Sequence, residues 1–464
     1  MALGYGLLGL VVGGVIIFIV HMEGRPDLSP WHTATLDRDF TASLEKQVAD
    51  LQGYLALEKA LFAQLHEQVM SKVQDPGSPR QRLNRYAPGS GVDPSVFEVN
   101  WNRTFELDSA QPRAVFLMLH GLSDSPYSMR GLAQDLHVRG ASVVGLRLPG
   151  HGTAPAALAA VDWRDFTAAV RVMMRSMHRD LAPGVPLFMV GYSNGAALAV
   201  EYTLQALERE DLPVPAGLIL LSPALAVSPT AGLAKWNLLL GRLAGLKKLA
   251  WLSIQPEFDP YKYNSFPVNA GEQIYRLTAD IGSRLKRLDT GQGIPDFPPI
   301  LAFQSAVDAT IPADGVIRNL LVHLAPYEHE LVLFDVNRAG LLEFFVSPRA
   351  DRLLNRLTDS GTLDFNLTIV ANVDEQSRFV AARTKPPHRS AFSAQELGLE
   401  WPEKFYSLSH VALPFPPGDE VYGFEPVVGE IPYPQIGLAQ MVGESGALIF
   451  PASLYTRARS CLLY

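Results

Sequence analysis

The stretch VGYSNGAAL, residues 190–198, places Ser193 between two glycines, after an apolar run and before a run of good helix formers. This G-x-S-x-G pattern is typical of a serine nucleophile on a sharp strand-to-helix turn. A serine hydroxyl is a poor nucleophile at neutral pH. It therefore needs a base within hydrogen-bond reach, an acid that orients the base, and donors for the oxyanion.

Two backbone N–H groups are the expected oxyanion donors. The amide of Asn194 follows the serine at the predicted start of a helix, and the amide of Leu122 lies on the loop after the apolar run AVFLMLH. His120, at the end of that run, is an alternative base. It precedes the serine in the chain and begins the oxyanion loop, so we interpret it as a residue that shapes the loop.

The predicted acid is Asp308, which stands directly after the strand-like segment ILAFQSAV. A carboxylate at the end of a strand could hold an imidazole at the same edge of the sheet as the serine. Capping of the helix that is expected near Pro312 is the alternative role for this aspartate. Asp364 and Asp374 are the alternative acids.

The predicted base is His410, in the segment YSLSHVALPF near a last strand-like run. The chain order Ser193, Asp308, His410 is the order of nucleophile, acid and base that one class of serine hydrolases uses. Three other histidines after the serine lie at or within a predicted insertion and fit less well: His323, His329 and His388.

The elements that must position these residues alternate between short apolar runs and helical patterns. Short runs rich in β-branched residues, each followed by a helix, predict βαβ units with a buried parallel sheet. The strand-like runs are residues 114–120, 141–148, 186–193 and 216–225, and the helical patterns are residues 128–140, 163–179 and 194–207.

The domain organisation follows from where this alternation begins and stops. We predict a catalytic core in two parts, residues 95–225 and 297–464, separated by a cap at residues 226–296. An insertion is expected at about residues 326–402 of the second part. Residues 23–94 are predicted to hold a linker and an amphipathic helix at about residues 40–73. Because the apolar stripe of this helix breaks around Glu58, we expect docking on the core rather than a coiled-coil stalk.

The N-terminus is apolar. Its first 20 residues, MALGYGLLGLVVGGVIIFIV, contain no charged side chain. An apolar segment of this length is long enough for a helix that spans a bilayer. We predict a single transmembrane helix at residues 1–22. A cleaved signal peptide is the alternative, but the segment has no basic start and no A-x-A-like site after it. The slight positive bias before the span places the catalytic body on the extracytoplasmic, periplasmic side.

Composition excludes several classes of function. The formal net charge is −8 and charged residues make up 19% of the chain, so neither disorder nor nucleic-acid binding is expected. The single cysteine, Cys461, excludes an intramolecular disulfide and argues against a cysteine-rich zinc site.

Five segments carry a resemblance to a known family: HGLSDSPYSMRGLA, LRLPGHGTAP, VGYSNGAAL, DATIP and SHVALPFPPGDEVYG. The chain resembles an α/β-hydrolase of the branch that includes carboxylesterases, monoacylglycerol lipases and serine aminopeptidase-like hydrolases. The resemblance implies a mostly parallel central sheet with helices on both faces and a helical cap. It also implies ester hydrolysis through an acyl-enzyme on Ser193, and neither a metal nor an organic cofactor.

The substrate is less well specified. The segment 235–252 combines leucines and two tryptophans with basic residues, which would suit a monoacyl lipid or lysophospholipid ester, although leucines of a cap also pack on a core. A peptidase of the aminopeptidase-like branch is an alternative, for which Glu257 and Asp259 could hold a substrate amine. A catalytically inactive fold that serves as a binding module is the third hypothesis.

Overall fold

The computed structural model of the chain describes residues 23–226, 247–308, 311–326, 328–339 and 348–401. It also describes isolated positions at residues 5, 10, 13, 407, 408, 419, 421 and 422. The predicted base, His410, and Cys461 lie outside the described residues.

A ten-stranded sheet forms the centre of the molecule, in the order β1-β3-β2-β4-β5-β8-β9-β10-β11-β12. The neighbours from β3 to β10 are parallel, whereas β1, β11 and β12 pair antiparallel. The mostly parallel sheet predicted from the sequence is thus confirmed. Its strands are β1 Phe105–Leu107, β2 Val115–Leu119, β3 Ser142–Leu146, β4 Leu187–Tyr192, β5 Gly217–Leu221, β8 Ile300–Ser305, β9 Glu330–Phe334, β10 Asn366–Asn372, β11 Phe379–Lys385 and β12 Ser393–Glu400. A separate two-stranded sheet pairs β6 Trp251–Ser253 with β7 Phe266–Pro267.

Helices and apolar side chains cover both faces of the sheet. Alternate residues of β2 enter different clusters, with Leu117 and Leu119 in one and Phe116 and Met118 in the other. This alternation follows from the two-residue repeat of a strand. The helices are α1 Pro30–Thr33, α2 Leu51–Gln68, α3 Arg130–Val138, α4 Pro155–Ala160, α5 Trp163–Arg179, α6 Asn194–Glu208, α7 Val268–Leu288, α8 Gly315–Asn319 and α9 Pro348–Asp359.

The amphipathic helix predicted over residues 40–73 is shorter in the structure. It begins at Leu51, because the Asp50 side chain accepts a hydrogen bond from the Gly53 amide at 2.8 Å and caps the helix there. The helix docks on the core, as the sequence predicts. The break in its apolar stripe is a buried ion pair between Glu58 and Arg147, with Nε and Oε2 3.0 Å apart, and Arg147 also pairs with Asp39.

The described parts of the two predicted insertions pack with the core or pair with its sheet. The helix α7, within the cap predicted at 226–296, buries Ile274, Leu277, Ile281 and Leu285 in the cluster that also contains α6. Residues 227–246 of that cap lie outside the described residues. The segment 326–402 supplies β9, β10, β11 and β12 to the central sheet.

The predicted anchor at residues 1–22 lies outside the described residues except for Tyr5, Leu10 and Gly13. Within the ranges that the structure describes, no helix combines the length and the apolar character that a membrane span requires.

Candidate active site

Ser193 occupies a strained turn between β4 and α6. Its φ of 52° and ψ of −111° are unfavourable for a residue with a side chain. Backbone hydrogen bonds hold the turn: the Ser193 amide donates to the Leu221 carbonyl at 2.9 Å, and its carbonyl accepts from the amides of Ala197 and Ala224 at 3.2 and 3.1 Å. The surrounding structure therefore fixes the serine where strand and helix meet.

The glycines on both sides of the serine permit this turn. A Cβ atom at Gly191 would lie 2.4 Å from the Ala196 amide nitrogen, and one at Gly195 would lie 2.1 Å from the Leu119 carbonyl oxygen. Either contact would push the helix away from the strands. The G-x-S-x-G spacing is thus required by the close approach of α6 to β4 and β2.

The predicted oxyanion loop lies beside the serine, because β2 pairs with β4 and Leu119 is in register with Gly191. A Cβ atom at Gly121 would lie 3.6 Å from the Ser193 Cβ atom. Leu122 follows on this loop and is partly buried. Asn194 is the first residue of α6, and the first amides of a helix have no partner within the helix. Both predicted donors thus belong to segments that lie next to Ser193.

His120 has both ring nitrogens engaged by the backbone. Its Nε2 atom accepts from the Leu148 amide at 3.0 Å, and its Nδ1 atom lies 2.9 Å from the Gly121 carbonyl oxygen. Burial lowers the pKa of this histidine well below its usual range, and His151 contributes in the same direction. The neutral ring therefore donates from Nδ1 to Gly121 and links the predicted oxyanion loop to the segment just after β3.

Asp308 lies just past β8, two strands from β4 in the order β4-β5-β8. Strand spacing places their ends about 10 Å apart, which leaves room for an imidazole. Its carboxylate accepts from the Gln304 side-chain amide at 2.9 Å and from the Ile311 amide at 2.8 Å. A cavity of about 680 Å³ opens beside it, lined also by Pro312, Asp314, Arg352 and Arg356.

The alternative acids lie farther from the serine. Asp374 follows the end of β10, two strands beyond β8, and is exposed. Asp364 precedes β10 and so lies at the amino-terminal ends of the parallel strands, whereas Ser193 lies at their carboxyl ends. Asp364 pairs with His388 at 3.3 Å. This placement favours Asp308 over both.

The three histidines that fit the sequence pattern less well than His410 also lie away from the strand ends that carry Ser193. His388 shares the amino-terminal edge of the sheet with Asp364, and His329 immediately precedes β9 at that same edge. His323 pairs with Asp289, with Nδ1 and Oδ2 2.9 Å apart. None of these three lies at the carboxyl ends of the strands.

The neighbours of His410 on both sides are described. The Leu408 carbonyl accepts a hydrogen bond from the Ser305 hydroxyl at the end of β8. Asp419 pairs with Arg130 and accepts from the Tyr127 hydroxyl at 2.7 Å, at the start of α3. Leu408 thus lies beside the end of β8, and Asp419 lies beside the start of α3. The sequence alone gave no signal for these contacts.

The carboxylates that could hold a substrate amine already have partners. Asp259 accepts from the amides of Tyr261 and Lys262 and from the Tyr422 hydroxyl. Glu257 accepts from two backbone amides of residues 264 and 265, and burial raises its pKa to about 7. Both side chains build the loop in which they lie.

Only part of the apolar and basic segment 235–252 is described. Trp251 is buried, and Leu252 is exposed. The Lys248 ammonium donates to the Arg25 carbonyl and to Asp27, and the Arg25 guanidinium donates to the Lys248 and Trp251 carbonyls. This lysine therefore ties the segment to the N-terminal region. No group of three or more metal-binding side chains that could hold an ion occurs in the described part of the chain.

Comparison with known proteins gives one family match. Residues 110–335 match the family described as Serine aminopeptidase, S33. This range includes the serine, both predicted oxyanion donors and Asp308, and it ends before residue 410. No curated protein matches the chain.

Several solved structures are similar over about half of the chain. A structure described under LipS and LipT, two metagenome-derived lipolytic enzymes, is 28% identical, with a TM-score of 0.40, over 51% of this chain and 88% of that one. A monoacylglycerol lipase of Paleococcus ferrophilus is 20% identical, with a TM-score of 0.37, over 55% and 95%. A soluble variant of the monoglyceride lipase of Saccharomyces cerevisiae is 17% identical, with a TM-score of 0.38, over 55% and 88%.

Proposed function

The chain belongs to the α/β-hydrolase superfamily, and from this premise we propose that it is a serine hydrolase that cleaves carboxylic ester bonds. Ser193 is the nucleophile, His410 the general base and Asp308 the acid that orients the imidazole. The amides of Leu122 and Asn194 bind the oxyanion. One observation carries the proposal: the strained Ser193 lies beside the Gly121 loop, with 3.6 Å between their Cβ positions.

The proposed reaction passes through an acyl-enzyme. His410 takes the proton of the Ser193 hydroxyl as its oxygen attacks the ester carbonyl, and the two amides stabilise the negative charge of the tetrahedral intermediate. The intermediate collapses when the imidazolium gives its proton to the leaving alcohol. Water then attacks the acyl-enzyme with the same base, which releases the carboxylic acid and restores the serine.

The assignment of His410 is supported by its neighbours in the chain. Leu408 hydrogen-bonds to Ser305, and Asp308 is three residues beyond Ser305. Residue 410 is two residues beyond Leu408, and two residues of chain span at most about 7 Å. The loop that bears Asp308 and the segment that bears His410 therefore both start at the Ser305 contact. The small number of residues from this shared contact to Asp308 and to His410 supports the proposed pairing of acid and base.

We propose a lipid ester with a single acyl chain as the substrate class. The apolar residues of segment 235–252 and the apolar N-terminus support this choice, because both suit a substrate taken from a membrane surface. Residues 1–22 would act as a single-pass anchor that holds the catalytic body outside the cytoplasm. A chain that lacks residues 1–22 is then expected in the soluble fraction of lysed cells, and its retention in the membrane fraction would contradict the anchor.

Labelling with a fluorophosphonate probe tests the serine. The wild-type chain is expected to become labelled, and Ser193→Ala is expected to lose all labelling. Ser222→Ala is a matched control, because Ser222 directly follows the neighbouring strand β5 with a similar positive φ of 44° and its hydroxyl has no hydrogen-bond partner among the described residues. A folded wild type that resists the probe would contradict the hydrolase and favour a binding module.

A substrate panel tests the bond that is cleaved. We expect hydrolysis of p-nitrophenyl esters and of monoacylglycerols, with no release of p-nitroaniline from aminoacyl anilides. His410→Ala is expected to abolish ester hydrolysis, and His388→Ala to leave it unchanged. Preferential cleavage of the anilides would instead support a peptidase, the alternative that the family description raises.

A further inference from the structure

A second cavity lies between α2 and the loop of residues 84–103, away from the catalytic serine. Its volume is about 320 Å³, at the lower end of the range of about 300–1,000 Å³ for small-molecule pockets. Apolar groups form one part of its wall and two guanidinium groups another. The side chains that matter are Phe62, Leu65, Met70, Arg85, Asp93 and Arg103.

Arg85 is a buried cation in this wall, with 2% of its surface exposed. Its Nη atoms donate to the Lys262 carbonyl and to the Asn102 side-chain oxygen, both at 3.0 Å. Its Nε atom has no acceptor among the described residues. The carboxylates of Glu257 and Asp259 attract this charge but form no ion pair with it in the described part of the chain. Buried charges are normally paired with an opposite charge. The nearest described stabilising groups of this guanidinium, beyond its two hydrogen bonds, are the rings of Tyr86 and Tyr263, 5.6 and 5.7 Å from its carbon. It therefore has room for an anionic acceptor.

Arg103 is a second cation in the same wall. Its guanidinium carbon lies 3.8 Å from the centre of the Phe62 ring, and the side chain forms no ion pair within the described part of the chain. Asp93 is the carboxylate of this wall, and its oxygens accept from the amides of Gly89 and Ser95, both at 2.9 Å. The Asp93 carboxylate therefore binds backbone amides of its own loop. Both guanidinium groups have N–H donors without an acceptor among the described residues.

We propose that this cavity binds a small organic carboxylate with an apolar body, the chemistry of a medium-chain fatty acid. A guanidinium fork matches the two oxygens of a carboxylate, so Arg85 and Arg103 are the expected contacts of the head group. Phe62, Leu65 and Met70 supply the apolar surface for the body. An inorganic anion would satisfy the charges and leave that surface uncovered.

The site lies behind the oxyanion loop. Thr153, on the cavity wall, donates from its amide to the Tyr263 hydroxyl at 2.8 Å, and the Tyr263 amide donates to the Ser123 carbonyl at 2.8 Å. A bound carboxylate thus has no direct contact with Ser193. Binding, rather than hydrolysis, is the direct measurement of this site, which does not depend on the proposed function.

Titration calorimetry on the full chain tests the proposal, with octanoate as the probe. Octan-1-ol has the apolar body without the charge, and inorganic phosphate has charge without the body; we expect both to bind at least about tenfold more weakly than octanoate. Arg103→Gln is expected to weaken octanoate binding about tenfold. Arg164→Gln is the matched control, because Arg164 also lies over an aromatic ring, Trp163 at 5.0 Å, and is not on the cavity wall.

Any of three results would overturn the proposal: no octanoate binding, equal binding of octanol or phosphate, or an Arg103→Gln variant that binds octanoate as tightly as wild type. Arg85→Lys is the second variant, since it keeps the buried charge and removes the fork. Its fold is checked by circular dichroism, and a folded variant is expected to lose most of the octanoate affinity. Octanoate bound near Ser193 would not respond to either substitution.

Discussion

Ser193, the proposed nucleophile, and the proposed oxyanion loop lie within one stretch of chain, residues 119–224, whereas the acid and the base proposed to activate the serine are residues 308 and 410. The nucleophile side is held by backbone hydrogen bonds and by glycines that allow close approach. The acid–base side is held by side chains, among them Gln304 on Asp308 and Ser305 on the Leu408 carbonyl.

This difference bears on how each side tolerates change. A turn fixed by its backbone fails when added atoms force elements apart, and it then loses stability together with activity. A carboxylate held by a few side chains can be changed with little effect on the fold. Substitutions on the two sides should therefore separate into those that change stability and those that change catalysis.

The largest effect is expected at Asp308. Asp308→Asn should lower kcat/KM for an ester by about 10³- to 10⁴-fold, because an amide no longer stabilises the imidazolium. The free energy of unfolding should change little, since Asp308 is only partly buried. Ester hydrolysis kinetics measure the loss. Asp374→Asn is the control, and a comparable loss in that variant would move the acid to the end of β10.

Gly195 tests the nucleophile side. A Cβ atom there would lie 2.1 Å from the Leu119 oxygen and 2.7 Å from the His120 oxygen, so Gly195→Ala should cost about 3 kcal/mol of unfolding free energy as well as activity. Urea unfolding followed by circular dichroism measures the cost. Gly282→Ala, in the middle of α7 with no atom within 4 Å of the added Cβ, should instead stabilise the chain by up to about 1 kcal/mol. Equal effects would contradict the steric explanation.

The same contrast explains what the sequence could predict. The nucleophile turn is local, and its glycines, apolar strand and helix occur within nine consecutive residues, so the pattern predicted β4 and α6 closely. The prediction of Asp308 as the acid rests on its place after a strand. The contacts that hold the acid–base side join residues 305 with 408 and 130 with 419. No local spacing encodes such pairs.

Amphipathic patterns also conceal what a helix packs against. The stripe of α7 is the same whether it faces a cap or the core, and only the structure shows it packed with α6. Glu58 interrupts the stripe of α2, and this break favoured docking on the core over a coiled-coil stalk. Its partner Arg147 is 89 residues away in the chain, so a single sequence could not reveal that the charge is paired.

Asp124, on the loop that follows β2, is a buried carboxyl group that lowers the free energy of unfolding at neutral pH. Burial raises its pKa from 3.8 to about 6, with Lys262 opposing the shift. Because the folded state binds this proton more tightly than the unfolded state, Asp124 lowers stability as pH rises from about 4 to above 6. Asp124→Asn should remove this loss and be more stable than wild type at pH 8 by roughly 1–3 kcal/mol.

Urea unfolding at pH 4 and pH 8 measures this effect. The gain from Asp124→Asn should shrink at pH 4, where the wild-type carboxyl is protonated in the folded state and about half protonated in the unfolded state. Glu375→Gln, at an exposed carboxylate, is the control for removal of one negative charge from the surface. A gain of the same size at both pH values would mean that the amide stabilises the loop for reasons other than charge.

The smallest effect is expected at Ser305, and it tests the contact that holds the acid–base side together. Its hydroxyl donates to the Leu408 carbonyl and accepts from the Val307 amide at 3.3 Å, so it joins the segments that lead to Asp308 and to His410. Ser305→Ala should lower kcat by about threefold to tenfold with little change in KM, because small misplacement of a base slows proton transfer more than it weakens binding. It should also shift the acid limb of the pH profile, which reports the base. Ser222→Ala, which removes a buried hydroxyl from the neighbouring strand, should change neither quantity. A loss of unfolding free energy without any shift in the pH profile would make Ser305 part of the fold alone, and the base would then need another support.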